Sequence, residues 1–210
     1  MTVTSDERRA MSDLFAELGP DRPTLCGEWT TLDLLAHLLV RERRPDAAGG
    51  ILIPALAGRT QRVMDGYAAH PYEQLVEQLR GGPPLWSPWA LPWLGDKGNL
   101  FEFYVHHEDV RRAQPDWAPR PDDGHREDAL WGSLKHAARM FFRKSPVGVV
   151  LRSAGRDEVV AKKGSTSVTL VGLPSEIVLT GFGRPDDLIR VVIEGDPDDV
   201  AAFRASDRGL

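Results

Sequence analysis

The sequence has a single cysteine, Cys26, among its 210 residues. One cysteine cannot form a disulfide within the chain, so the sequence excludes a disulfide-stapled fold and favours a reducing compartment. Cys26 stands in no local motif that would activate a thiol. We therefore expect it to be a small buried residue rather than a nucleophile.

Long apolar runs and an excess of positive charge are also missing. No stretch approaches the roughly 18 consecutive apolar residues of a membrane helix, and the chain does not start with the basic segment and apolar run of a secretory signal peptide. The net charge of −5 and a pI near 5.7 argue against binding to nucleic acid. These absences predict a cytoplasmic protein with neither a nucleic acid nor a membrane as partner.

The first two-thirds of the chain has the apolar spacing of helices, with Met11, Phe15 and Leu18 on one face of the first. Thr30 is a typical helix N-cap, and Asp33 follows it at the spacing of a capping box. The pattern predicts helices over residues 5–18, 30–43, 54–69, 72–80 and 127–144.

The pattern changes near Ser145-Pro146, after which short alternating segments predict strands. We expect strands over 147–151, 158–161, 167–171 and 188–194, a short helix from Pro174 and a closing helix over 196–206. The sequence therefore predicts an α+β protein with an N-terminal helical bundle over 1–145. A small α/β domain over 146–210 would pack on the bundle.

Residues 81–98 differ from the rest of the chain in composition, with four prolines and three tryptophans. Prolines at this density predict a loop rather than a regular element. Two interpretations are open. Trp86, Trp89 and Trp93 could roof a cleft beside the following helix, or the loop could be an apolar lid on the core.

The following helix, predicted over 99–112, carries polar residues in the middle of an apolar face. At about 100° per residue, Glu102, His106 and Asp109 lie within roughly 60° of one another, between Phe and Val side chains. Buried there, these groups would need pairing or a metal ion. Glu102 and His106 are one turn apart, close enough to bind the same ion.

A capping interpretation competes with the metal site. Asn99 is a plausible N-cap, and Glu102 three residues later could reach back to the Asn99 amide. From the residues alone, His37 is more typical of a solvated or hydrogen-bonded histidine than of a ligand. The pattern leaves both interpretations of Glu102 open.

Two segments carry a family resemblance. The first is Gly27-Glu-Trp-Thr-Thr-Leu-Asp-Leu-Leu-Ala-His37-Leu, and the second is Glu102-x-x-x-His106-x-x-Asp109-Val. Together they resemble the mycothiol-dependent maleylpyruvate isomerase and DinB-like superfamily of actinobacteria, and above all its uncharacterised metal-binding branch. The resemblance implies a DinB-like bundle that binds a divalent metal, typically zinc, followed by a small C-terminal α/β domain.

The same resemblance implies roles for individual residues. The metal ligands would be His37, Glu102 and His106, while His107 matches no ligand position. Asp109 would stand behind the ligands, orienting one of them or accepting a proton. Gly183-Arg184 matches a Gly-Arg of the family, so Arg184 would be an anchor for a substrate carboxylate.

The function expected from this resemblance is a zinc-dependent enzyme with mycothiol, or a similar low-molecular-weight thiol, as cosubstrate. It would perform S-transfer or isomerisation on a small electrophile. Two alternatives use the same ligands: a hydrolase that activates a metal-bound water, and a non-catalytic binding module that keeps its metal as a structural part. The sequence names neither the electrophile nor the native metal.

Overall fold

The protein has a mixed α+β fold. The computed structural model describes residues 2–51 and 53–208, and these contain nine α-helices and a four-stranded sheet. The chain divides into two compact units, Met1–Pro119 and Arg120–Leu210. None of the helices in the described ranges is long and apolar enough to cross a bilayer.

The first unit is helical. Its α-helices are α1 (Val3–Leu18), α2 (Thr31–Arg43), α3 (Pro45–Ala48), α4 (Ala57–Ala68), α5 (Tyr72–Arg80) and α6 (Pro92–Arg112). Helix α1 packs against α5 and α6, and α2 packs against α4 and α5. One core cluster consists of Met11, Phe15, Leu34, Leu35, Leu38, Leu39, Leu75, Val76, Leu79, Phe103 and Val110.

Helix α2 begins where its cap residues predict. The Asp33 side chain accepts from the Thr30 amide at 2.9 Å, and the Thr30 hydroxyl accepts from the Asp33 amide, completing the predicted capping box. The apolar face of α2 then buries Leu35 and Leu39 completely. Each such side chain stabilises the fold by about 2 kcal/mol through the area it removes from water. These contacts hold α2 firmly in the core.

Helix α6 begins at Pro92, seven residues before the predicted start. The expectation of an irregular loop up to residue 98 is therefore wrong for its last part. Proline is compatible with the first helical turn, where Pro92 lies. Gly95 and Gly98 lie inside the helix and leave room for Trp89 to pack closely against it: a Cβ at Gly98 would lie 2.7 Å from the Trp89 ring. The glycines reflect this tertiary contact rather than a break in the helix.

The early start of α6 also removes the capping interpretation of Glu102. Asn99 lies inside the helix and is almost completely buried. Its Oδ1 accepts from the Arg41 guanidinium, and its Nδ2 donates to Glu42 Oε1 at 3.4 Å. Asn99 is therefore a bridge to α2 and not an N-cap.

The second unit combines three helices with the sheet. Its elements are α7 (Gly124–Phe141), β1 (Gly148–Arg152), β2 (Val159–Lys162), β3 (Ser167–Val171), α8 (Pro174–Gly181), β4 (Val192–Glu194) and α9 (Pro197–Ala205). The strand order is β2-β1-β3-β4. Strands β1 and β3 are parallel, with Leu151 opposite Leu170, and the two outer pairs are antiparallel.

Helix α7 belongs to the second unit, whereas the sequence analysis assigned it to the first. It packs against α8 and contacts β2, so the units separate between Pro119 and Arg120 and not between 145 and 146. The change of apolar period at residue 145 marks the end of a helix. A domain boundary depends instead on which elements bury their faces together.

One buried carboxylate on α7 explains part of this packing. The first turn of α8 follows Leu173, whose side chain cannot accept a hydrogen bond. Glu127 Oε2 instead accepts from the Ser175 amide at 2.9 Å, while Oε1 accepts from Arg126. A carboxylate at this end of α8 also faces the positive end of the helix dipole. Glu127 thus caps a helix from a neighbouring element.

We expect Glu127→Ala to destabilise the second unit by about 3 kcal/mol, since it removes the acceptor of a buried amide and the carboxylate partner of the Arg126 guanidinium, which keeps the Pro121 carbonyl as an acceptor. Asp128→Ala is the matched control on the same helix, because its exposed ion pair with Arg156 should contribute less than about 1 kcal/mol. Urea unfolding followed by circular dichroism measures both. Equal midpoints for the two variants would contradict the capping role of Glu127.

Candidate metal centre

Three potential metal ligands meet between α2 and α6. His37 comes from α2, and Glu102 and His106 lie one turn apart on α6. His37 Nε2 lies 3.2 Å from Glu102 Oε1, and His106 Nε2 lies 3.4 Å from the same oxygen. All three candidate ligand atoms lie within 4.8 Å of one another. The structure thus brings together the three residues that the resemblance named.

The spacing of these atoms fits a single tetrahedral ion. Zinc ligands at about 2.0–2.1 Å from the metal are about 3.3–3.4 Å apart when arranged tetrahedrally. The two observed separations, 3.2 and 3.4 Å, bracket this value. They are at or beyond the usual upper limit for an N–H···O hydrogen bond, about 3.2 Å. Two imidazoles and a carboxylate are also a common donor set for zinc.

Asp109 fixes the orientation of the His106 ring. Its Oδ2 lies 2.9 Å from His106 Nδ1, and the side chain is completely buried. An ionised carboxylate can only accept, so Nδ1 carries the hydrogen in this pair. A carboxylate in this position typically sets the tautomer of a metal-binding histidine. Asp109 therefore directs Nε2 of His106 towards Glu102 and His37.

Arg41 contacts Glu102 from α2, one turn after His37. Its Nε lies 3.6 Å from Glu102 Oε1, and its Nη2 donates to Gly98 O at 3.0 Å. The guanidinium also stacks on the Trp89 ring at 4.0 Å from the centroid. Arg41 therefore holds the carboxylate beside the two histidines.

Among the described side chains of the Trp-rich segment, residues 81–98, Trp89 contacts the centre through Arg41. Trp89 stacks on Arg41 and donates from its Nε1 to the Arg41 carbonyl at 3.0 Å. Trp86 is 64 % exposed, and the side chain of Trp93 lies outside the part of the structure that is described. Trp29, in the loop before α2, lies beside a ligand, with its ring centroid 5.1 Å from that of His37.

The loop before α2 brings Cys26 to the centre, which the sequence analysis did not foresee. The Cys26 thiol donates to Asp109 Oδ2 at 3.1 Å, and Sγ lies 3.5 Å from His106 Nδ1. The Leu25 amide donates to the Asp109 carbonyl at 3.1 Å, which ties this loop to α6. Cys26 is partly exposed rather than fully buried. Its position just before the Gly27 segment is the only sequence signal that could have identified it.

Burial and mutual contacts shift the pKa values of the ionisable groups of the centre. Burial is the largest effect on His37 and lowers its pKa. Burial alone would also lower the pKa of His106, but hydrogen bonds with Asp109, Cys26 and Glu102 outweigh it and raise that pKa well above the usual value. For Glu102, burial opposes ionisation, yet the hydrogen bonds with His106 and His37 keep the pKa well below its usual range. Glu102 therefore favours the ionised form that a metal ligand needs, and an ion bound at His106 Nε2 would compete with a proton at that nitrogen.

Two other residues considered in the sequence analysis lie elsewhere. His107, which was excluded from the ligands, pairs through Nδ1 with Glu7 Oε2 at 2.7 Å, and both side chains are buried. Arg184 lies in the second unit, where its Nη1 donates to Phe182 O at 3.0 Å. Its role as a substrate anchor stays a prediction.

Comparisons with protein-family models, with curated proteins and with solved structures give no match for this chain. The interpretation of the site therefore depends on its own geometry. That geometry supplies two imidazole nitrogens and a carboxylate oxygen to one point, with a buried carboxylate behind one imidazole. Such a set can hold a divalent ion and leaves a tetrahedral ion one position for an exchangeable ligand.

We expect the purified protein to bind about one zinc ion per chain tightly, and His37→Ala, Glu102→Ala and His106→Ala each to lose it. His70→Ala is the control, since His70 is exposed and lies outside the candidate centre. Metal analysis after dialysis against a weak chelator gives the stoichiometry. Full occupancy in His106→Ala would contradict the ligand assignment.

We expect Asp109→Asn to weaken zinc binding by about 10–100-fold without removing a ligand, because the amide no longer holds the Nδ1 proton of His106 as a carboxylate does. Competition with a chromophoric chelator measures the affinity. Asp65→Asn, a change of the same kind at an exposed position, should leave the affinity unaltered. If the two variants bind zinc equally well, Asp109 does not orient the ligand.

Proposed function

We propose that the protein is a cytoplasmic, zinc-dependent enzyme that uses mycothiol or a similar low-molecular-weight thiol to conjugate or isomerise a small electrophile. In this proposal the helical unit is the metal-binding bundle of the mycothiol-dependent maleylpyruvate isomerase and DinB-like superfamily. The second unit is its small C-terminal α/β domain. The observation that carries the proposal is the convergence of His37 Nε2 and His106 Nε2 on one oxygen of Glu102, at 3.2 and 3.4 Å.

The number and exposure of the ligands favour catalysis over a purely structural metal. Structural zinc sites usually have four protein ligands, whereas catalytic sites commonly have three. The side chains of Glu102 and His106 keep 20 % and 15 % of their surface exposed. These two side chains are thus not completely enclosed, in agreement with a site that keeps a position for an exchangeable ligand.

When bound, the ion would supply a Lewis acid that favours the deprotonated, nucleophilic form of a thiol. The other tasks belong to side chains of the chain itself. Asp109 holds the proton on His106 Nδ1 and so keeps Nε2 available for the ion. Arg41 holds the Glu102 carboxylate, and the Trp29 ring packs beside His37 and restricts its rotation. These contacts prearrange the ligands before any substrate binds.

A metal-dependent hydrolase is the second candidate. The donor set of two histidines and one glutamate favours it, because the same set occurs in zinc peptidases. In that case the ion would activate water, and no thiol would be needed. The two candidates therefore differ in one requirement that an assay can test directly.

We expect turnover of a haloaromatic or a maleyl acid only when both zinc and a low-molecular-weight thiol are present. Metal-stripped protein and His37→Ala should fall to the uncatalysed rate, because both lack the ion that favours the thiolate. His70→Ala should retain the wild-type rate. The readout is the rate of electrophile consumption as thiol concentration is varied.

The same assay separates the alternatives. Hydrolysis of an ester or amide that requires zinc but no thiol would replace the proposal with the hydrolase. If zinc binds tightly and neither reaction exceeds the metal-free rate, the proposal is wrong and the protein is a non-catalytic binding module. Consumption of electrophile at the wild-type rate in metal-stripped protein would exclude any role of the metal in the reaction.

A further inference from the structure

The His106 ring faces a second group of potential ligands with its other nitrogen. Nδ1 lies 2.9 Å from Asp109 Oδ2 and 3.5 Å from Cys26 Sγ, and the sulfur lies 3.1 Å from the same carboxylate oxygen. The three atoms lie within 4.8 Å of one another. This group shares only His106 with the centre formed by His37 and Glu102, and it uses the opposite ring nitrogen.

From these contacts we propose a second metal position, formed by Cys26 Sγ, His106 Nδ1 and Asp109 Oδ2, that binds a thiophilic divalent cation such as zinc, cobalt or cadmium. A zinc ion with sulfur at about 2.3 Å and nitrogen at about 2.0–2.1 Å sets those two atoms about 3.5 Å apart. The observed separation is 3.5 Å. The two distances to Asp109 are shorter because its oxygen now accepts hydrogen bonds, and they need to lengthen by a few tenths of an ångström.

The chemistry of this group selects the kind of ion. A thiolate favours zinc, cobalt or cadmium over magnesium and calcium, which prefer oxygen ligands. A thiolate and a carboxylate together carry two negative charges, which offset the charge of a divalent ion. Asp109 is completely buried, whereas Cys26 is partly exposed. The ion would therefore enter from the side of the sulfur.

The arrangement differs from that of a catalytic cysteine. In a nucleophile, base and carboxylate relay, the nucleophile and the carboxylate contact opposite nitrogens of the histidine. Here Cys26 and Asp109 both face Nδ1, and the thiol proton points to the carboxylate rather than to the ring. Three donor atoms that surround one point can bind a metal ion. A proton relay would instead need the histidine ring to lie between the thiol and the carboxylate.

The shared ring sets the order in which the two positions fill. An ion at the Nε2 position leaves the Nδ1 proton in place, whereas an ion at the Nδ1 position displaces both that proton and the Cys26 thiol proton, which pass to solvent. In the wild type, the Nδ1 position should therefore bind more weakly than the Nε2 position. In a His37→Ala/Glu102→Ala variant, the Nε2 set is lost and His106 can carry its proton on Nε2. That variant isolates the second position.

Cobalt(II) chloride is the probe, added without any thiol. We expect the His37→Ala/Glu102→Ala variant to bind about one cobalt per chain with a sulfur-to-cobalt charge-transfer band in the near ultraviolet. Adding Cys26→Ser to this background should abolish the band and weaken cobalt binding at least about tenfold. Absence of the band in the double variant, or its persistence after Cys26→Ser, would overturn the proposal. Far-ultraviolet circular dichroism checks that both variants are folded.

The wild type provides a second test if the double variant does not fold. A cobalt titration should show a first equivalent without a sulfur band and a weaker second equivalent with one. In Cys26→Ser only the first should remain. A single sulfur-free equivalent in both proteins would overturn the second position and leave the zinc centre intact. If the wild type instead binds only one equivalent of cobalt, and that equivalent shows a sulfur band, the His37–Glu102–His106 centre is wrong and the second position stands. The two proposals can therefore fail separately.

Discussion

The pairing of buried charge along α6 is the constraint on which the first unit depends. An ionised side chain in the interior costs several kcal/mol unless a partner offsets the lost hydration. Helix α6 carries three carboxylates in its second half, with Glu108 and Asp109 almost completely buried and Glu102 partly buried, and each has a different set of partners. Glu102 contacts two histidines and Arg41, Glu108 accepts from Arg111 and Arg112, and Asp109 contacts His106 and Cys26.

The pairing around Glu102 extends through the interior to α1. Arg41 donates to Asn99, Asn99 donates to Glu42, and Glu42 accepts two hydrogen bonds from Arg8 on α1. Glu42 is almost completely buried, so breaking any of these contacts would expose a charge to an apolar surrounding. The network fixes α2 against α6 in one register. That register sets His37 opposite Glu102, so the candidate centre is a consequence of how the helices are locked together.

Local signals in the sequence were sufficient for most elements. Strand β3 matches its predicted range, 167–171, and α2 begins with the predicted capping box of Thr30 and Asp33. Both signals act within a few residues. The start of α6 could not be predicted in this way. Gly95 and Gly98 have a low intrinsic helix propensity, and the reason for glycine at these positions is the close approach of Trp89, a contact that a propensity scale does not include.

The same limit applies to the site. Glu102, His106 and Asp109 lie on one helix, so their shared face followed from helical geometry alone. His37 lies 65 positions from Glu102 and Cys26 lies 80 positions from His106. Helical and strand periodicity cannot show that residues so far apart in the sequence are close in space. Only the resemblance to a metal-binding family predicted His37 as a ligand. Nothing comparable drew attention to Cys26.

The position of Asp109 decides how the two ligand groups are related. As long as its carboxylate accepts the Nδ1 proton, His106 offers Nε2 to the centre with His37 and Glu102. If Asp109 and Cys26 bind an ion instead, the Nδ1 proton is lost and the ring becomes a bridge between the two positions. In this proposal a single buried carboxylate would couple the tautomer of His106, the protonation of a thiol and the location of a metal. The coupling would need only small shifts, because the two distances to Asp109, 2.9 and 3.1 Å, are within a few tenths of an ångström of those around a bound ion.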